Sequence, residues 1–279
     1  MFPGASTARE DADYAIVGAP LDVSTTFQPG ARFGPDRIRR FAETFDDYDR
    51  RTDRHFSDLS VHDHGDVRAW TDAAEYVEHL SGVVRDVVWD DAVPLLLGGE
   101  HTVSAAGVDA TDPDLFVCLD AHLDLREEYD GDEWSHACVT RRALETAEEA
   151  IVVGARTGSE EEWDRAAAED VTVVPPEEVG AWLRAVKEGE RDPFAGRDVY
   201  LSVDVDGADP AFAPGTGTME PFGLTPREMR GVVRAAAPHC VGFDVVEVND
   251  RDDGQAAALG GKLLREFVAT HAHGTDGTV

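Results

Sequence analysis

Short runs of apolar, β-favouring residues alternate along the chain with longer stretches whose apolar positions recur at helical spacing. The runs at 14–19, 93–97, 115–119, 151–155, 171–174, 199–203 and 241–246 are predicted strands, with a weaker one near 59–62. The stretches 36–44, 72–89, 159–169, 176–188, 226–236 and 256–269 are predicted helices. Local start signals support two of these. Pro35 and Asp36 suit a first helical turn, and Thr225-Pro226-Arg227-Glu228 combines an N-cap, a proline at the first position and a capping-box Glu. Alternation through the whole chain predicts an α/β fold, a largely parallel sheet covered on both faces. The length of 279 residues allows one large domain or two small ones. No repeat or linker is visible, and only a tail from about Thr270 reads as fraying.

Where the polar residues fall says more than the alternation. In open α/β sheets ligands bind beyond the carboxyl ends of the strands. Four predicted strands run directly into polar clusters: Gly98-Gly99-Glu100-His101, Asp120-Ala121-His122-Leu123-Asp124, Ser202-Val203-Asp204-Val205-Asp206 and Glu247-Val248-Asn249. All four are expected along one edge of the sheet. Asp120, His122 and Asp124 alternate at period two, as do Asp204 and Asp206, so on an extended strand end each set would share one side. Carboxylates gathered in this way repel unless a cation lies among them. With His101 the set offers two imidazoles and four carboxylates. That is too rich in oxygen for a structural zinc. It suits two cations of intermediate hardness: Mn²⁺ first, with Fe²⁺, Co²⁺ or Ni²⁺ as alternatives. Two such ions ~3.5–4 Å apart can deprotonate a water held between them.

Composition narrows the partners. The net charge of −32 argues against nucleic acid and against an anionic membrane surface. No window approaches the ~20 apolar residues of a membrane span, and no basic-then-apolar leader is visible. A hydrophobic content of 42% argues against disorder. The only lysines are Lys187 and Lys262, the other basic residues being Arg. Abundant acid with almost no Lys suits a salt-accumulating halophile, where self-repulsion is screened. Cys118, Cys138 and Cys240 are widely spaced and form no CxxC pair, which fits a cytoplasmic protein without a disulfide framework.

The clusters at 98–101, 120–124 and 202–217 resemble the three signatures of the ureohydrolases, the arginase/agmatinase family. Further similarity lies at 29–35 and 247–249, so the resemblance spans about 14–269 of a single catalytic domain covering 1–279. It implies a three-layer α/β/α fold with an eight-stranded parallel sheet, two Mn²⁺ per subunit, and a homotrimer or homohexamer. It also implies hydrolysis of a small guanidino substrate to urea and an amine. Residue by residue, one metal would take His101, Asp120, Asp124 and Asp204, and the other Asp120, His122, Asp204 and Asp206. Glu247 would hold the guanidinium, Asp124 would carry the water's proton to the leaving amine, and His136 would shuttle protons and touch substrate.

Three departures from the family pattern stand near these positions: Ala137-Cys138 after His136, Asp250 after Asn249, and Met219-Glu220-Pro221-Phe222-Gly223. None removes a ligand. The loop 125–133 departs from the arginase pattern and looks like the archaeal agmatinase branch. Its five acids suit the free amine of agmatine, which would give putrescine and urea and place the enzyme in arginine metabolism and polyamine biosynthesis. Arg126 points the other way, toward a substrate carboxylate such as that of 4-guanidinobutyrate or arginine. A one-zinc deacetylase of the same architecture and a non-catalytic scaffold are the remaining alternatives. The segment 62–66, His-Asp-His-Gly-Asp, reads as a solvated strand-end turn, and His271 and His273 read as surface residues of the tail. The turn around Arg32 and Phe33 either walls the site or is purely structural.

Overall fold

The structure, a computed structural model, describes residues 1–68 and 70–275. Its strands are β1 (Tyr14–Ala19), β2 (Tyr48–Asp49), β3 (Arg54–His55), β4 (Val61–Asp66), β5 (Val93–Gly98), β6 (Leu115–Leu119), β7 (Glu149–Val153), β8 (Val171–Val174), β9 (Val199–Asp204) and β10 (Cys240–Val246). Its helices are α1 (Gly34–Ala42), α2 (Ala73–Trp89), α3 (Val103–Thr111), α4 (Val139–Ala143), α5 (Glu160–Ala166), α6 (Pro176–Lys187), α7 (Pro226–Ala236) and α8 (Gln255–Thr275). Eight strands form one parallel sheet in the order β4-β1-β5-β10-β9-β6-β7-β8, and β2 and β3 form a small antiparallel hairpin. The three-layer α/β/α fold with an eight-stranded sheet is therefore as expected.

Alternation along each buried strand divides the core between the two faces. Leu95, Leu97, Val117, Leu201 and Phe243 pack on one side with Ile38 of α1, Val232 of α7 and Phe267 of α8. Leu96 and Val246 pack on the other with Tyr76 and Leu80 of α2 and Ala106 of α3. The strands that end in polar clusters, β5, β10, β9 and β6, are consecutive neighbours at the sheet's centre. Their carboxyl ends therefore lie side by side, flanked by β1 and β7.

Several expectations need correction. The strand expected at 151–155 is Glu149–Val153, ended by Gly154 at φ +102°. The helix expected to stop at 269 continues to Thr275, so there is no fraying at Thr270. His271 is not a bland surface residue. Its Nδ1 lies 2.8 Å from the Tyr14 hydroxyl and its Nε2 3.1 Å from the Cys240 carbonyl, tying α8 to β1 and β10. At the other end Phe2 is buried against Phe56, so packing extends past the expected 14–269 in both directions. Nor is 62–66 a turn: it belongs to β4, with only His64 and Asp66 exposed. Asp63 is buried and accepts two bonds of 2.9 Å from the Arg39 guanidinium, which also pairs with Asp66. The Arg39 pair holds the Asp63 carboxyl below the usual range, although burial works against it.

Candidate metal centre

The turn after each central strand sets the position of its site residues. After β5 the chain turns through Gly99, where a Cβ would run into the Leu21 backbone, so the turn can close onto that segment only with glycine. This delivers His101 into the interior, fully buried, just ahead of α3. After β6, Asp120 is held in place as the His122 amide donates to its Oδ1 at 2.7 Å. After β9 the backbone does not stay extended as the period-two spacing suggested. Val205–Gly207 forms a 3-10 turn in which the Asp206 amide donates to Asp204 Oδ1 at 2.8 Å. Asp206 in turn accepts from the Ala121 amide at 3.1 Å and from the Thr218 hydroxyl at 3.1 Å, which joins the β6 and β9 loops.

The six proposed ligands come together. His101 Nδ1 lies 2.9 Å from Asp124 Oδ2, 3.1 Å from Asp120 Oδ2 and 3.5 Å from Asp204 Oδ2. His122 Nδ1 lies 3.1 Å from Asp206 Oδ2 and 3.4 Å from Asp120 Oδ1. Asp120, Asp124, Asp204 and Asp206 are all buried. Charge makes this arrangement costly unless cations are present. Burial, Asp206 and Asp120 push the Asp204 carboxyl well above the usual range. Burial opposes the His122 charge, yet Asp206 and Asp120 push that ring up to about 12. Among the described residues, Asp120, His122 and Asp206 place ligand atoms within 4.8 Å of one another, and so do His101, Cys118 and Asp120. The donor set therefore fits divalent cations: imidazole nitrogens and carboxylate oxygens converge where their own charges conflict.

Below the cluster His101 is braced through its other nitrogen. Nε2 lies 3.1 Å from Ser202 Oγ, which donates to Asp244 at 2.6 Å, and the Tyr200 hydroxyl donates to the same carboxylate at 2.9 Å. Such outer partners fix the tautomer of a ligating imidazole. Cys118 also lies here, 3.6 Å from His101 Nε2.

Glu247 follows β10 at φ +60°, a conformation uncommon for a side-chain-bearing residue, and Asp124 sits at φ +50°. Glu247 Oε1 accepts from the His101 amide at 2.9 Å and faces His136 Nδ1 at 3.0 Å. Its Oε2 is buried with no partner among the described residues. The Thr26 amide donates to His136 Nε2 at 3.2 Å, so that nitrogen is the acceptor and the ring proton sits on Nδ1, toward Glu247. A cavity of about 280 Å³ opens over Asp124, Asp204, Asp206 and His122, with His136, Arg126 and Glu162 in its wall.

The sequence pattern does not reveal several of these groups. Thr26 and Thr218 come from irregular loops without a motif. Glu162 carried one usable signal, the Ser159–Glu162 capping box that starts α5. Arg156 donates to the carbonyls of Gly154, Asp206, Gly207, Ala208, Glu220 and Pro221, and so clamps the Asp206 loop. The turn at Arg32 buttresses rather than lines the cavity. Arg32 pairs with Asp22 at 2.6 Å, and Asn249 donates to the Gln28 carbonyl beneath it at 3.0 Å.

A parallel sheet with a buried His/Asp cluster at the ends of its central strands defines an α/β protein with a candidate metal centre. The family model of the arginase family matches residues 12–269, and the chain belongs to that metal-dependent family. It is 33% identical over 266 residues to an agmatinase of Pyrococcus horikoshii, covering 91% of this chain and 90% of that one. It is also 33% identical over 267 residues to an N(1)-aminopropylagmatine ureohydrolase of Thermococcus kodakarensis, covering 91% and 89%. Among solved structures it resembles the agmatine ureohydrolase of Thermoplasma volcanium, with a TM-score of 0.92, 33% identity, and coverage of 100% and 96%.

Proposed function

We propose that the chain is a hydrolase that cleaves the guanidino group of agmatine with water, giving putrescine and urea. The observation that carries this reading is the buried, unpartnered Glu247 Oε2 beside the His/Asp cluster. A buried carboxylate oxygen without a donor is unfavourable unless a ligand supplies one, and a planar guanidinium supplies two in a fork. The agmatinase relatives support agmatine as the molecule that brings it.

His101, Asp120, Asp124 and Asp204 would hold one cation and Asp120, His122, Asp204 and Asp206 the second, Mn²⁺ being the first choice. When bound, the cations supply a water that is deprotonated near neutral pH. Glu247 orients the guanidinium carbon toward that water. His136 lines the cavity while Glu247 does not, so the ring must turn off Glu247 to admit substrate. Asp124 accepts the water's remaining proton and hands it to the leaving nitrogen as the C–N bond breaks. His136, freed from Glu247, relays protons between that nitrogen and solvent. The near absence of Lys and the net charge of −32 support work at molar salt; the single catalytic domain is read as a cytoplasmic homotrimer or homohexamer on its likeness to the family. Urea release from agmatine, aminopropylagmatine, arginine and 4-guanidinobutyrate by the Mn²⁺-loaded protein in molar KCl tests the reading. Agmatine should give the highest kcat/KM, and urea from 4-guanidinobutyrate alone would overturn the assignment.

A further inference from the structure

Among the described residues the cavity wall has one Arg or Lys side chain, Arg126. Arg126 is already paired with a carboxylate of the chain itself. Its Nη2 lies 3.1 Å from Glu162 Oε2, with the Arg126 side chain 35% exposed and that of Glu162 4% exposed. The guanidinium also stacks over the Tyr129 ring at 5.3 Å. Glu162 does more than pair. Its Oε1 accepts from the Leu125 amide at 3.3 Å and its Oε2 from the Ser159 amide at 2.8 Å, so the carboxylate is anchored by the backbone on both sides. The anchoring comes from the loop that carries Asp124 and from the start of α5, which places Glu162 independently of Arg126.

We infer that the Arg126–Glu162 pair sets the charge met by the far end of the substrate, and that Glu162 selects guanidines ending in an ammonium over those ending in a carboxylate. The inference rests on the reading above that the substrate is a linear guanidine with agmatine's spacing. Agmatine and 4-guanidinobutyrate have the same number of bonds between the guanidine carbon and the terminal N or O atoms, so they differ chiefly in the sign of the end charge. An unpaired Arg126 would attract the carboxylate and repel the ammonium. Anchored Glu162 cancels that charge, and with Asp124, Asp204 and Asp206 offset by the cations they would hold, no positive side chain is left at the far end to hold a carboxylate. An interaction with a non-reacting end is the same in the ground and transition states, so it appears in KM and leaves kcat unchanged.

Two single variants with opposite expected signs test this in the Mn²⁺-loaded protein. Glu162→Gln keeps a capping-box residue and uncovers Arg126. The ratio of kcat/KM for agmatine over 4-guanidinobutyrate should then fall about tenfold or more, for a unit charge about 8 Å away at an effective dielectric constant of about 40. Arg126→Gln leaves Glu162 and its backbone anchors intact, and the same ratio should rise. In both cases the change should lie in KM. Ratios that move in the same direction, or stay within twofold of the wild type in both variants, overturn the inference and leave the agmatine reading standing. Wild-type urea release from 4-guanidinobutyrate and none from agmatine overturns that reading, and the inference with it.

Discussion

Glu247→Gln isolates the group on which the functional reading turns. The amide oxygen of Gln can still accept from the His101 amide, as Glu247 Oε1 does at 2.9 Å. The change falls on the buried Oε2, which has no partner among the described residues, and on the negative charge. A charge-assisted hydrogen bond to a guanidinium contributes about 1.5–3 kcal/mol. The Coulomb attraction at about 4 Å is of order 4 kcal/mol for an effective dielectric constant of about 20. Because the two overlap, we expect a loss of about 3–4 kcal/mol, or 10²–10³ in kcat/KM for agmatine. Glu247 also pairs with His136 at 3.0 Å, so the loss must be read on protein shown to remain folded. The assay is urea release at saturating Mn²⁺, with bound Mn²⁺ and the melting temperature measured on the same samples. A kcat/KM within threefold of the wild type would show that Glu247 does not hold the guanidinium. A loss of activity tracking a loss of bound metal would place its role elsewhere.

Three further outcomes concern other parts of the molecule. Asp63→Asn leaves the Arg39 guanidinium buried with half its partner gone and should cost about 3–5 kcal/mol in urea denaturation, the range for breaking a buried pair. The folded Asp63 carboxyl titrates below its unfolded value, so its contribution is full above about pH 4. That contribution should disappear as pH falls through the folded value, so the wild-type and Asp63→Asn melting temperatures should converge in acid; a constant gap down to about pH 2 would contradict the pairing. With a net charge of −32, the melting temperature should climb between about 0.1 M and 1 M KCl as the Debye length shrinks from about 10 Å to 3 Å, and a flat profile would remove the case for salt adaptation. Stripping the cations with a chelator should lower stability by about 2.7 kcal/mol per site, or about 5 kcal/mol for two, relative to protein held at a hundredfold excess over Kd, readable as a melting shift that Mn²⁺ reverses.

The candidate site was legible because its chemistry is concentrated in short polar clusters directly after fully buried strands. Asp120 to Asp124 and Ser202 to Asp206 interrupt apolar runs where nothing in the core would favour carboxylates. The central strands were legible for the same reason: Leu115–Leu119 and Tyr14–Ala19 are buried at every position and read as unbroken apolar runs. α3 escaped notice because Val103 to Val108 is buried all round, which erases the helical period that marks a half-exposed helix. The charges at 62–66 misled because a buried ion pair and a solvated turn have the same composition, and the partner, Arg39, lies on α1. His271 was misplaced because its hydrogen-bond partners come from β1 and β10, more than thirty residues away. Thr26 and Arg156 act through backbone amides and carbonyls, which leave no pattern in sequence. Glu162 was partly legible as a cap, but its contact with Arg126 depends on how the loop after Asp124 folds back onto α5.

The decisive observation is a Mn²⁺ titration of the metal-stripped protein in molar KCl, monitoring urea and putrescine together from agmatine. Activity should rise from none to a plateau at two Mn²⁺ per chain, with urea and putrescine formed in equal amounts. Full activity in the stripped protein, or two bound Mn²⁺ with neither product formed, would contradict a metal-dependent agmatine hydrolase built on His101, Asp120, His122, Asp124, Asp204 and Asp206.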